Sequence, residues 1–114
     1  MEVRKELLEI GCPIGVTQNI MAGKWKLVIV WLLKDDTKRF GELRRALPQI
    51  RQGYLTQQLR ELERDGLVHR KVYNVVPPKV EYSLTDIGIR FLEVMNKMYE
   101  WGEEYSNLIK NLCK

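Results

Sequence analysis

A chain of 114 residues, 45% hydrophobic and 30% charged, has the make-up of one soluble globular domain around a single core. Its longest apolar run, Leu27 to Leu33, falls well short of the ~18 residues needed to cross a bilayer, which excludes a membrane protein. The net charge of +4 is unevenly spread, at +6 over residues 38–79, 0 over residues 1–37 and −2 over residues 80–114.

The start, Met1 to Glu6, places charges where a signal peptide needs an apolar centre, so a cytoplasmic protein is expected. Val3, Leu7, Leu8 and Ile10 predict a short amphipathic helix over Glu2 to Ile10, too short to be stable unless it docks. Cys12-Pro13 opens a second helix to Met21, because proline at the first turn loses no hydrogen bond. Ala22-Gly23 breaks it. Lys24 to Leu33 then reads as the central core helix, with Trp25 and Trp31 as packing residues.

Lys34 to Thr37 is a turn, and Lys38-Arg39-Phe40 reads as a short strand. Gly41 to Leu47 is a helix with Leu43, Ala46 and Leu47 inward and Arg44 and Arg45 outward, closed by Pro48. After the turn Pro48-Gln49-Ile50, the apolar residues Leu55, Leu59 and Leu62 share one face of a helix over Gly53 to Arg64. The opposite face carries Gly53, Thr56, Gln57, Arg60 and Arg64. Asp65-Gly66 stops this helix, glycine accepting the left-handed conformation. Val68 to Tyr73 and Val80 to Leu84 predict two strands joined by a tip containing Pro77 and Pro78, which cannot join a ladder.

Helix, turn, helix and basic hairpin in this order make a winged helix, an α+β but mainly α fold. The second helix would lie in the major groove of DNA, where Gln57 can bond adenine, Arg60 guanine, and Thr56 a thymine methyl. Arg44 or Arg45, on a helix crossing the backbone, would meet phosphate, and Lys79 on the wing phosphate or the minor groove. Arg51 and Gln52, at the start of the reading helix, complete the candidate set. The +6 stretch coincides with this unit, as an electrostatic footprint for double-stranded DNA should.

Thr85-Asp86 caps a last helix running to about Leu112. Ile87, Phe91, Val94, Met98, Trp101, Tyr105, Leu108 and Leu112 recur in heptads along it. A helix some 40 Å long exceeds what this domain can cover, so a second copy is expected on the stripe, with Leu7, Phe91, Met98, Trp101, Tyr105 and Leu108 in the interface. The alternative is that the Glu2 to Ile10 helix buries the stripe within one chain.

The inventory suits an enzyme poorly. His69 stands alone on a strand, a surface or DNA-facing position, and there is neither a Cys/His cluster for zinc nor a glycine-rich phosphate loop. Catalytic residues, metals and cofactors are therefore not expected. Glu61 and Glu63 beside arginines read as solvated charge. A winged helix binding protein without sequence-specific DNA contact is the alternative, against which Arg60 and Arg64 stand.

These residues carry a resemblance. Cys12-Pro13, Gly23-Lys24-Trp25, the run Arg39 to Arg45, the run Leu55 to Leu62, and Pro77 to Thr85 with Gly88 resemble the HxlR-type winged-helix regulators, relatives of the MarR group, over roughly Cys12 to Gly102. The resemblance implies one domain, with a core over 12–85 and dimerisation helices over about 2–10 and 86–112. It implies a homodimer that binds a near-palindromic operator as a transcriptional regulator. Arg51 departs from the pattern, standing where Ser, Thr or Asn usually caps the recognition helix, so an uncapped start shifted by a residue or two is expected. Some members sense oxidants or electrophiles through a cysteine at the position of Cys12. A thiol at a helix N-terminus is activated by the dipole, whereas a buried one is a small hydrophobe. A redox or small-molecule effector stays open, and Cys113 is expected to be incidental.

Overall fold

The computed structural model describes residues 4–113. Its elements are a 3-10 helix Lys5–Ile10, helices α1 (Pro13–Ile20) and α2 (Lys26–Leu32), strand β1 (Lys38–Arg39), helices α3 (Phe40–Ala46) and α4 (Gln52–Arg64), strands β2 (Val68–Tyr73) and β3 (Lys79–Leu84), and helix α5 (Asp86–Leu112). The three strands form an antiparallel sheet in the order β1-β3-β2. Lys38 faces Tyr82, and Val68 to Tyr73 run opposite Leu84 to Lys79. The winged helix-turn-helix architecture expected from the sequence is the one observed.

The core is where periodicity places it. Leu55, Leu59 and Leu62 of α4 are buried against Ile29 and Val30 of α2, Leu43 of α3 and Val68 of β2. Each fully buried leucine of this kind contributes about 1.5–3 kcal/mol relative to exposure. Gly66 has φ +83°, the left-handed value that only glycine adopts cheaply, and turns the chain from α4 into β2. Thr85 caps α5, its Oγ1 accepting from the Gly88 N–H at 3.2 Å. Gly88 lies flat against the Leu67 carbonyl, where a Cβ would collide with the oxygen, and this lets α5 start against the core.

Three expectations are corrected. The predicted helix over Glu2 to Ile10 is a 3-10 turn from Lys5, with Glu2 and Val3 outside the described residues. Six residues without a buried side chain cannot cover α5, and Leu8 is 84% exposed. The turn is instead anchored by Arg4, whose guanidinium pairs with Asp65 at the end of α4. Ala46, expected inward, is exposed, because α3 ends there and the chain turns before Leu47 re-enters the core. Phe91 packs against the chain's own core, since α5 docks through Phe91, Leu92 and Met95, with Tyr99 stacked on Trp31 at 5.6 Å.

Beyond this docked segment α5 projects. The radius of gyration, 16.1 Å, exceeds the about 13 Å of a compact domain this size, and the longest extent is 55 Å. Met98, Trp101, Tyr105 and Leu108 are all exposed along it, Trp101 at 64% and stacked on Tyr105 at 5.2 Å.

Candidate nucleic-acid interface

The outer face of α4 is assembled by what its inner face must do. With three leucines and Gln58 turned into the core, helical geometry leaves Gly53, Gln57 and Arg60 outward and exposed, with Thr56 half-buried between them. Arg51 is the N-cap, extended, exposed and without a side-chain cap bond, and Gln52 is the first helical residue. The helix thus begins one residue before the expected Gly53, uncapped as Arg51 implied. The Thr56 hydroxyl donates to the Gln52 carbonyl at 3.0 Å, which ties the hydroxyl to the backbone.

The basic residues divide into exposed and engaged groups. Arg45 and Arg60 are exposed. Arg44 is half-buried and donates from Nη1 to the Ile50 carbonyl at 2.6 Å, stapling α3 to the turn that leads into α4. Arg64, expected on the outer face, is drawn sideways onto Asp65, with contacts of 3.2 and 3.1 Å. Burial pushes the Asp65 carboxyl up, but hydrogen bonds from Arg4 and Arg64 outweigh it and hold the group below the ordinary carboxylate range. Lys79 is partly held within the wing, 3.5 Å from Glu81 and 4.6 Å from the centre of the Tyr73 ring. The Tyr73 hydroxyl donates to Glu81 at 2.7 Å and lowers its pKa.

Sequence reasoning passed over two features. Arg70 of β2 shares a groove with Thr56, Arg60 and Glu63, so the cleft between α4 and the β2–β3 hairpin has a second cation. Strand period could have found it, since Arg70 stands two residues after the buried Val68 and so shares its face of β2. Glu61, read as solvated charge, is instead paired with the ammonium of Lys26 at 2.6 Å. Lys26 is 1% exposed although it sits in the most apolar helix.

Cys12 is the N-cap of α1 and exposed. The backbone N–H groups of Gly15 and then Ile14, facing the sulfur, hold its thiol below the ordinary range. Cys113 is exposed at the far end of α5. An open cavity of about 350 Å³ lies between α1 and α5, lined by Ile20, Met21, Phe91 and Val94 with Arg90 at its edge. No helix of the described residues is long and apolar enough to cross a membrane.

The chain is similar to known regulators over most of its length. It is 52% identical over 102 residues to the HTH-type transcriptional regulator YdeP of Bacillus subtilis, covering 90% of this chain and 80% of that one. Among solved structures, the redox regulator HypR in its reduced form superposes with a TM-score of 0.83 at 47% identity, covering 88% of this chain and 99% of that one. The reduced form of the transcriptional regulator YodB from B. subtilis gives 0.74 at 33% identity, covering 82% and 94%. The HxlR-like helix-turn-helix family model matches residues 20–110, and the chain belongs to that family of transcriptional regulators.

Proposed function

We propose that two copies of the chain, joined along the exposed part of α5, bind a near-palindromic DNA operator and regulate transcription from it. Each copy lays α4 in the major groove, with Gln52, Thr56, Gln57 and Arg60 toward base edges and Arg51 at its start. Arg45 and, less freely, Arg44 meet the backbone, and Lys79 brings the wing to phosphate or the minor groove. The observation that carries this reading is the division of α4, with leucines wholly buried on one side and an amide, a guanidinium and a hydroxyl-bearing residue without a core role on the other. Leu7, half-buried in the N-terminal turn, and Met98, Trp101, Tyr105 and Leu108 form the seam between copies; Phe91 supports it from the core side.

Cys12 is the signal input in this proposal. Its exposure and its activated thiol support redox sensing, as do the likenesses to HypR and YodB. A duplex selected from random DNA by the protein serves as the operator in the test. Binding followed by fluorescence anisotropy should be tighter on it than on scrambled DNA, and should change after diamide in wild type but not in Cys12→Ser. Equal binding to both duplexes would overturn sequence reading, and equal diamide sensitivity of the two proteins would remove Cys12 as the sensor.

A further inference from the structure

At the core-facing edge of α4 a buried cation is linked through a carboxylate to an exposed amide. The Lys26 ammonium, brought by α2, is 2.6 Å from Glu61 Oε1, and Gln57 Nε2 donates to Glu61 Oε2 at 3.1 Å. The chemistry of the three groups leaves one arrangement. An ammonium only donates and a carboxylate only accepts, so Glu61 must present one oxygen to Lys26 and can present the other to Gln57. Gln57 must then turn its nitrogen, not its oxygen, toward Glu61. Its Oε1 and the second Nε2 hydrogen are left for a partner, an acceptor beside a donor, which is the pattern that matches the N6 and N7 edge of adenine. Lys26 has no solvent to compete for it and Glu61 is mostly shielded, so the ion pair that orients the carboxylate is in place before DNA arrives.

We propose that Lys26 and Glu61 are specificity-determining positioning residues, which fix the polarity of the Gln57 amide and so select adenine at the base pair it meets. The inference rests on the reading of α4 as the DNA-reading helix. It also explains a carboxylate on a face meant for phosphate-rich DNA, where charge alone would disfavour it.

The test uses the full chain, the selected duplex, and three duplexes with the other base pairs at the position where Gln57→Ala abolishes preference. Wild type should favour adenine there by about tenfold or more. In Glu61→Gln the new amide must give its oxygen to Lys26 and its nitrogen to Gln57, which reverses the Gln57 amide. Adenine preference should fall to within about twofold of the other bases, while binding to scrambled DNA holds or tightens as a negative charge is lost. Lys26→Met, which keeps the buried stem, leaves Glu61 an acceptor but without its anchor, so the preference should weaken without reversing. Combined with Gln57→Ala, neither change should have a further effect on it. Undiminished adenine preference in Glu61→Gln and Lys26→Met, with preference lost in Gln57→Ala, overturns the inference and leaves the reading helix standing. A parallel loss on all duplexes with the ratio intact makes the pair merely structural and overturns it as well. Unchanged preference in Gln57→Ala removes Gln57 as a reader, and the inference falls with that assignment.

Discussion

Arg4 forks onto Asp65 across 61 residues of sequence, Nε to Oδ1 and Nη2 to Oδ2, both at 2.9 Å. The bond ties the N-terminal turn to the end of α4, and Asp65 is only 3% exposed in its side chain. Asp65→Asn should therefore cost about 2 kcal/mol in urea unfolding, the worth of hydrogen bonds to a charged group. The pH dependence follows from the lowered pKa of Asp65. A depressed folded pKa gives stability that is fully present above the unfolded value of about 3.9 and is lost as pH falls through the folded value. Wild type should lose more stability than Asp65→Asn on acidification below about pH 4. Parallel acid profiles would mean that the pair adds nothing.

How far the sequence shows the fold depends on whether a feature is made within one element or between two. Leu55, Leu59 and Leu62 declare their own face by spacing alone, and Asp65-Gly66 and the two prolines of the wing declare chain reversal by backbone chemistry. The partners of Arg4, Lys26 and Arg64 do not declare themselves, because each is set by a side chain that another element or a helix end brings into reach. For the same reason the heptad pattern of α5 merges two surfaces. Phe91 satisfies the pattern yet packs at home, while Trp101 and Tyr105 satisfy it and stand clear. At the candidate interface, the outward residues of α4 follow from helix period, whereas Arg44 looks equivalent to Arg45 until the Ile50 carbonyl is seen.

Two glycines should respond oppositely to alanine. At Gly88 a Cβ runs into the Leu67 carbonyl oxygen, a backbone atom that cannot swing aside. Gly88→Ala should destabilise by about 1–3 kcal/mol as α5 shifts off the core. At Gly53, inside α4, a Cβ meets nothing within 4 Å, so Gly53→Ala should stabilise by about 0.5–1 kcal/mol. Chemical denaturation of both variants gives the comparison, and a neutral Gly88→Ala would show that the close approach is slack.

The stripe on α5 is expected to hold two copies together. Glutamate at Trp101 and Tyr105, both exposed and stacked on each other, would place charge in an apolar seam. Sedimentation at micromolar concentration should show a dimer for wild type and a monomer for the double variant, with far-ultraviolet dichroism unchanged. A wild-type monomer ends this proposal.

For Cys12, a lowered pKa and exposure together make a kinetic prediction. In a Cys113→Ser background, alkylation by iodoacetamide should rise with pH through a midpoint below the about 8.5 of a free cysteine. A midpoint at or above that value would leave Cys12 without the activation that sensing needs. Because the thiol is exposed, Cys12→Ser should leave the unfolding midpoint unchanged.

Arg44 and Arg45 are neighbours of one type on one helix, and their loss should be felt in different measurements. Arg44 donates to the Ile50 carbonyl at 2.6 Å, in the turn that sets the angle between α3 and α4. Removing that bond from a half-buried site should cost about 1–2 kcal/mol of folding stability. Its effect on DNA binding should come through the placement of α4. Arg45 is exposed, with its guanidinium near Gly41 on its own helix. Arg45→Ala should leave urea unfolding within about 0.5 kcal/mol of wild type. It should weaken selected and scrambled DNA alike and reduce the slope of log K against log salt by about one unit, since one phosphate contact and its released counterion are lost. Anisotropy across a salt series, run beside unfolding curves of both variants, separates the two roles. If Arg44→Ala changes the salt slope and not the stability, the Ile50 bond is incidental, and Arg44 belongs with Arg45 on the phosphate backbone.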